Sequence, residues 1–506
     1  MKQLLAALFF FVLFFSFYIT DTNATDILYD DFSAPYLDGE KWRTREYVRE
    51  VIDGKLISKI GNSSSSVNSG EFAPGVFRNS LLFANPGTVN SIECKVTIVE
   101  THLDTATGSQ SYAGIFGNFY NKNTIGGATG DIGAGVVIGD RGSGLEAVWI
   151  VWEILTDDLT GMKTIGSGTI PGNFEYNKPY NLKLTYGGNN IFFFTANNQE
   201  DSFTTGPARE RDAVVPFKSI DTNIDAENGS NNGFIHAEFD DVYVNNSTSI
   251  YDDFSSTLNL SKWNLLEEIR EISDGSLRMN IQADGAGDRV NAVLSHSDTD
   301  FFETKTRLSS QSIQSLGAVG TARIMGFYYN DSRGPGSGLP FNGHEGNVFA
   351  HVRLENDNNG ILGCRVGLFR ADDADQINWT HLFDELFTTP IYFDTDYTLS
   401  IRFIDNQFIF KCDNETIIYT VSTPKYLPYG GYRVLQTRLW LDSGGSGYLK
   451  TSYDDVRVSE DSINFCLQDY DFDNDMDGKD AVAFVQDSKD VLIEDFAMHF
   501  GRTDCP

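Results

Sequence analysis

Near the C terminus, Asp473-Asn474-Asp475-Met476-Asp477-Gly478 places carboxylates at alternate positions ahead of a glycine, with Asp471 before the run and Asp480 after it. Alternate side chains of a curled loop converge on one centre, and the glycine permits the sharp turn that brings the chain back, which is the chemistry of an oxygen cage for calcium. Two carboxylates about 5 Å apart repel by roughly 1–3 kcal/mol at effective dielectric constants of ~20–80, and several such pairs crowd this loop. A segment of about 40 residues has little core to oppose that repulsion. The expected cofactor is therefore Ca2+, held by Asp471, Asp473, Asp475, Asp477 and Asp480.

Two other constellations could act on sugars. Glycoside hydrolysis normally needs two carboxylates flanking the bond, roughly 5 Å apart if the configuration is retained and wider if it is inverted. In HAEFDDVYV, Glu238 and Asp240 project to one side of a strand, and WIVWEILTDD offers Glu153 and Asp157. Sugar binding uses an aromatic ring as a stacking platform beside amide and carboxylate groups. The candidates are Trp149, Trp152 and Trp379; the first two lie three apart in VWIVWE, so they face opposite sides of a strand, one into the core and one outward.

These residues are positioned by a unit written twice. Residues 28–58 read LYDDFSAPYLDGEKWRTREYVREVIDGKLIS, and residues 250–280 read IYDDFSSTLNLSKWNLLEEIREISDGSLRMN. The register equates Trp42 with Trp263, Glu46 with Glu267, Arg49 with Arg270 and Glu50 with Glu271; both tryptophans read as core. Further along, GNFYN from Gly117 answers GFYYN from Gly326, YNLKLTYGGNNIFFF answers YTLSIRFIDNQFIFK, and FDDVYV closes one copy where YDDVRV closes the other. Leu182 and Leu184 alternate with polar neighbours at the period of a half-buried strand, and GGNN is a hairpin turn able to take positive φ. The expectation is all-β: two tandem antiparallel β-sandwiches, residues 25–246 and 247–460, followed by a small α-helical calcium-loop module, residues 461–506.

YDDF with a following KW, the DG hairpin and the terminal DDVxV strand resemble the concanavalin A-like lectin/glucanase (LamG-like) jelly-roll superfamily, a fold that hosts lectins, glycosidases, adhesive modules and spacers. First and last strands are neighbours in that superfamily. The resemblance therefore implies that Asp30 with Asp240, and Asp252 with Asp454, could share a structural cation; the alternative is that these acids bond backbone amides or Lys41 and Lys262. Its glucanase branch commonly carries Glu-x-Asp-x-x-Glu on one strand. Here no second glutamate follows Glu238 and Asp240, and Ser452 replaces Glu238 in the other copy. The C-terminal segment resembles dockerin-like and EF-hand-like modules: DAVAFV and DFAMHF read as short helices, and a second loop has Leu492 and Ile493 where Asp477 and Gly478 stood. That likeness implies a possible cohesin-like partner.

The first residues have a lone Lys2, an apolar run to Tyr18 and small residues up to Ala24, the pattern of a secretory signal cleaved after residue 24 and too short to span a bilayer. Export allows Cys466 and Cys505, which bracket the acidic segment, to pair; Cys364 and Cys412 either pair or stay as buried thiols, and Cys94 is left over. A net charge of −33 argues against nucleic acid and anionic membranes. The sequence thus points to a secreted or cell-surface, non-catalytic protein that binds polysaccharide or a cell-surface glycan. A glycoside hydrolase and a structural cell-surface spacer are the rivals. Duplication favours binding, since two linked sites gain effective concentration.

Overall fold

The computed structural model describes residues 26–39, 41–62, 76–103, 110–159, 161–225, 233–295, 299–331, 343–357, 359–404, 406–421, 428, 431–441 and 444–459. Within them the regular structure is strand, apart from one 3-10 turn at Pro86–Thr88. No helix among the described residues is long and apolar enough to cross a membrane. The leader, the aspartate loop with its two expected helices, and Cys466 with Cys505 lie outside the described residues.

Local sequence explains the strands. In Pro179–Tyr186 the side chains of Tyr180, Leu182, Leu184 and Tyr186 are buried while their neighbours are not. The chain then reverses through Gly188, Asn189 and Asn190, all at positive φ, and returns as Ile191–Ala196 with Phe192 and Phe194 on the same inner face. All strand pairing is antiparallel in three sheets, of 16, seven and six strands. The seven-stranded sheet packs on one half of the large sheet and the six-stranded sheet on the other, giving two sandwiches with separate apolar cores.

The two halves join edge to edge. Tyr47–Ile52 of the first repeat pairs with Glu268–Ser273 of the second, with Val48 opposite Ile269 and Arg49 opposite Glu268. The repeat alignment equates Val48 with Ile269, so the joint has a local two-fold. The hydrogen bonds obey it: Arg49 Nε donates to Leu266 O at 2.7 Å and Arg270 Nε to Arg45 O at 2.6 Å, again equivalent positions. This is the self-complementary geometry of a symmetric dimer, built inside one chain.

The opening segments are exchanged. Tyr29, Phe32, Leu37 and Trp42 belong to the core of the second sandwich, whereas Phe254, Leu258 and Trp263 belong to that of the first. The strand Asp26–Asp30 pairs with Ser446–Ser459, the closing strand of the second repeat, and Asp252 bridges to Val242 in the closing strand of the first. The expected neighbourhood of first and last strands is thus met across the repeats and not within each one. Cys94, Cys364 and Cys412 are buried free thiols. Burial, then contact with Cys412, pushes the Cys364 thiol well above its ordinary pKa.

Candidate functional site

The aspartates of YDDF have protein partners. Asp30 accepts from the amide of Phe32 at 3.0 Å and from Trp42 Nε1 at 2.7 Å, with Lys41 at 3.9 Å. Asp252 repeats this with Phe254 at 3.0 Å, Trp263 Nε1 at 2.7 Å and Lys262 at 3.2 Å. The clamp holds Phe32 and Phe254 at φ of 49° and 50°, a conformation that costs a bulky residue roughly 1–2 kcal/mol. Asp30 stands opposite Val456, and Asp252 bridges Val242. The crossed arrangement therefore sets Asp30 beside the strand that carries Asp454, and Asp252 beside the strand that carries Asp240. Asp240 and Asp454 each accept the next residue's amide at 2.7 Å. Among the described residues no three His, Cys, Asp or Glu cluster as a metal site.

The other candidates separate. Trp149 lies in the inner core, stacked on Phe194 with ring centres 4.8 Å apart and bonded to Asp201. Trp152 is on the opposite, outer face beside Phe116 and bonded to Asn118. The two faces are as the spacing predicted, yet both rings are buried, at 6% and 7% exposure. Glu153 pairs with Lys122 at 2.5 Å and Glu238 with Lys55 at 2.6 Å, and the two glutamates sit on different sheets.

Trp379 is half-buried, on the outer face of the six-stranded sheet. That sheet runs in the order Asp288–Val293, Arg433–Trp440, Val319–Asn330, Asn347–Asn356, Leu362–Ala371, Trp379–Leu386. Alternation sends Ala322, Ile324, Val352 and Val366 into the core and their neighbours outward. One end of the outer face is aromatic. Trp379 lies parallel to Phe327 at 6.3 Å and edge-on to Phe349 at 5.9 Å, and its Nε1 donates to Gln376 O at 2.8 Å. Phe369 packs on His381 at 4.3 Å and on His351 at 5.5 Å.

The other end is cationic. Register sets Arg323 opposite Arg353, Arg353 opposite Arg365, and Arg289 opposite Arg438. Trp440 lies among them, with guanidinium carbons of Arg438, Arg323 and Arg353 at 4.0, 5.5 and 5.8 Å from its ring centre. Arg353 meets Glu355 at 2.6 Å and Arg365 meets Asp384 at 2.8 Å. Among the described residues the Arg323 side chain hydrogen-bonds only the neutral Gln436 Oε1, from Nε at 2.8 Å and from Nη2. Among the described residues no carboxylate pairs with Arg323 or Arg438. Burial first, then Arg438 and Arg353, push Arg323 down to about 9; burial, then Arg289 and Arg353, bring Arg438 to about 10. Burial and the surrounding arginines hold His351 well below its ordinary pKa, hence neutral.

The first sandwich offers something different. At positions matching Arg323, Arg353, Arg365 and Arg438 it has Gly114, Val137, Val148 and Asn223, as the equivalent pairings of its seven-stranded sheet show. On its large sheet is a cleft of about 520 Å3 whose walls include Asn181, Asn197, Asn198, Thr195, Phe193 and Glu200. Neither the arginine row nor this cleft was singled out from the sequence. The signal for the former was available: once GNFYN and GFYYN are aligned, the outward positions can be compared copy against copy.

No family model matches the chain, and no curated protein matches it. Among solved structures, a Bacillus licheniformis β-glucanase aligns over 37% of this chain and 79% of its own, at 11% identity and a TM-score of 0.24. LamAcat from Zobellia galactanivorans aligns over 38% and 80%, at 12% and 0.24. A carbohydrate binding module from Bacillus subtilis aligns over 36% and 86%, at 14% and 0.20. Each likeness spans little more than a third of the chain.

Proposed function

We propose that this is a secreted carbohydrate-binding protein whose second sandwich presents the binding surface on the outer face of its six-stranded sheet. The observation that carries the reading is the half-exposed aromatic set of Trp379, Phe369 and Trp440, with exposed His381, lying flush with guanidinium and imidazole groups on one sheet face. Rings of this kind stack on apolar faces of sugars while fixed polar groups orient the hydroxyls. The polar cleft of the first sandwich, with Phe193 among amides, supplies a second foothold on a polymer. Binding without turnover is favoured because Glu153 and Glu238 are each paired with a lysine and lie on separate sheets, while Asp157 is taken up by the amide and hydroxyl of Thr129 and Asp240 by the amide of Asp241. In affinity electrophoresis through gels that each contain one polysaccharide, at least one polymer is expected to retard the protein. Trp379→Ala should weaken that retardation tenfold or more, and unchanged mobility in both Trp379→Ala and Trp440→Ala would defeat the reading.

The calcium reading of Asp471, Asp473, Asp475, Asp477 and Asp480 belongs to the same proposal, with the C-terminal segment as a stabilising or anchoring module. Calcium titrated into chelator-stripped protein should give a saturating heat that disappears when Asp475→Ala and Asp477→Ala are combined. A heat that survives both changes would place the cation elsewhere.

A further inference from the structure

We infer that the outer face of the second sandwich selects an anionic glycan, with Arg323, Arg353 and Arg438 gathering a sulfate or carboxylate group of the polymer. The inference rests on the carbohydrate-binding reading and adds the charge of the ligand to it.

Three observations carry it. First, the row is placed against its own electrostatics. Like charges directly opposite on neighbouring strands are destabilising, and here Arg323, Arg353 and Arg365 follow one another across three strands while Arg289 faces Arg438. The chain has 71 acidic against 38 basic residues, so counter-charges abound, yet Arg323 and Arg438 have none among the described residues. Second, the fold does not require them. The first sandwich builds the same strands with Gly114, Val137, Val148 and Asn223 at these positions. Third, the donors are held ready. Gln436 fixes the buried Arg323 fork, and Trp440 carries Arg438 on its ring. Arg353 Nη1 donates to His351 Nε2 at 2.8 Å, so the neutral ring keeps its proton on Nδ1. That nitrogen is buried and has no partner among the described residues, and the residue is 1% exposed.

A planar guanidinium matches two oxygens of a sulfate or carboxylate and is easily desolvated, which suits it to oxyanions more than to hydroxyls. Phe349 and Arg353 are four residues apart on one strand, roughly 13 Å at ~3.3 Å per residue. A polymer can therefore rest a sugar ring on the aromatic end while an acidic substituent reaches the arginines. Because the rest of the protein is strongly acidic, long-range attraction does not retain polyanions generally, and any retention must come from a local face such as this one.

The test uses the full chain in affinity gels containing a sulfated galactan, the same galactan chemically desulfated, a polyuronate, and that polyuronate with its carboxyls reduced to alcohols. At least one anionic form should retard the protein tenfold or more strongly than its neutral counterpart; which one does so identifies sulfate or carboxylate as the ligand group. Arg438→Gln should abolish that difference and leave the thermal midpoint unchanged or raised, because it relieves repulsion. A merely structural arginine would lower the midpoint instead. Arg323→Gln should act the same way, and if it fails to fold, the half-exposed Arg438 still decides. Equal retention of charged and neutral forms, or indifference to Arg438→Gln, would overturn the inference while the sugar-binding reading stands on the Trp379→Ala result. Failure of all four polymers to retard the protein would overturn both.

Discussion

Trp42→Ala is expected to loosen the second sandwich, although Trp42 is written in the first repeat. The indole is 1% exposed and packs edge-on to Tyr29 at 6.0 Å and nearly parallel to Phe32 at 5.6 Å, inside the core that contains Leu277, Leu294 and Tyr453. Its removal should cost about 3–5 kcal/mol from lost packing and the cavity left behind. A further ~1–3 kcal/mol follows because buried Asp30 loses the indole donor at 2.7 Å. The loss should appear in hydrogen exchange as faster exchange of peptides within residues 268–459, with residues 110–225 protected as before. Trp263→Ala should show the reverse, since its indole bonds Asp252 and stacks on Phe254 in the core of the first sandwich. If each substitution instead exposed its own repeat, the exchange of opening segments would be wrong.

That exchange marks the limit of what the repeat itself discloses. Aligning YDDF and KW equates positions, and a crossed and an uncrossed chain bury the same residues in the same kinds of core, so no side chain announces which is adopted. Alternation was legible: Leu182 and Leu184 point inward, GGNN turns at positive φ, and Trp149 and Trp152 take opposite faces. The role of the paired aspartates was half legible. The spacing placed them at a strand end, while only the structure shows Asp30 closing on the Phe32 amide and the Trp42 indole, and Asp31 on the amide and hydroxyl of Ser33 at 3.1 and 2.7 Å. The arginine row escaped notice because Arg323, Arg353 and Arg438 belong to separate strands and meet only through register. Trp379 was found from its polar surroundings, and its partners Phe327 and Phe349 come from elsewhere in the chain.

The joint between the sandwiches should make stability fall as pH rises from about 4.5 to about 7. Glu46 and Glu267, equivalent in the two repeats, are 4% and 2% exposed. Burial is the main cause that raises both carboxyls from 4.5 to about 7, with Glu271 adding to it at Glu46 and Glu50 at Glu267. In that window the folded chain holds protons that the unfolded chain has released, so each unit of pH favours unfolding; the stability is full below about 4.5 and lost by about 7. Glu271 works the other way. Burial opposes it, but Arg278 and Lys59 hold it below its ordinary value, so its contribution is present above about 4.5 and is lost only in more acid solution. Glu46 also accepts the amide of Ile272 at 2.9 Å across the joint, a bond that glutamine can keep. Glu46→Gln combined with Glu267→Gln should therefore raise the thermal midpoint by several degrees at pH 8, equivalent to about 2–3 kcal/mol per carboxyl, and change it little at pH 4.5. A variant whose midpoint shifts equally at both pH values would show that these side chains matter for shape and not for charge, and the joint would then have no such pH dependence.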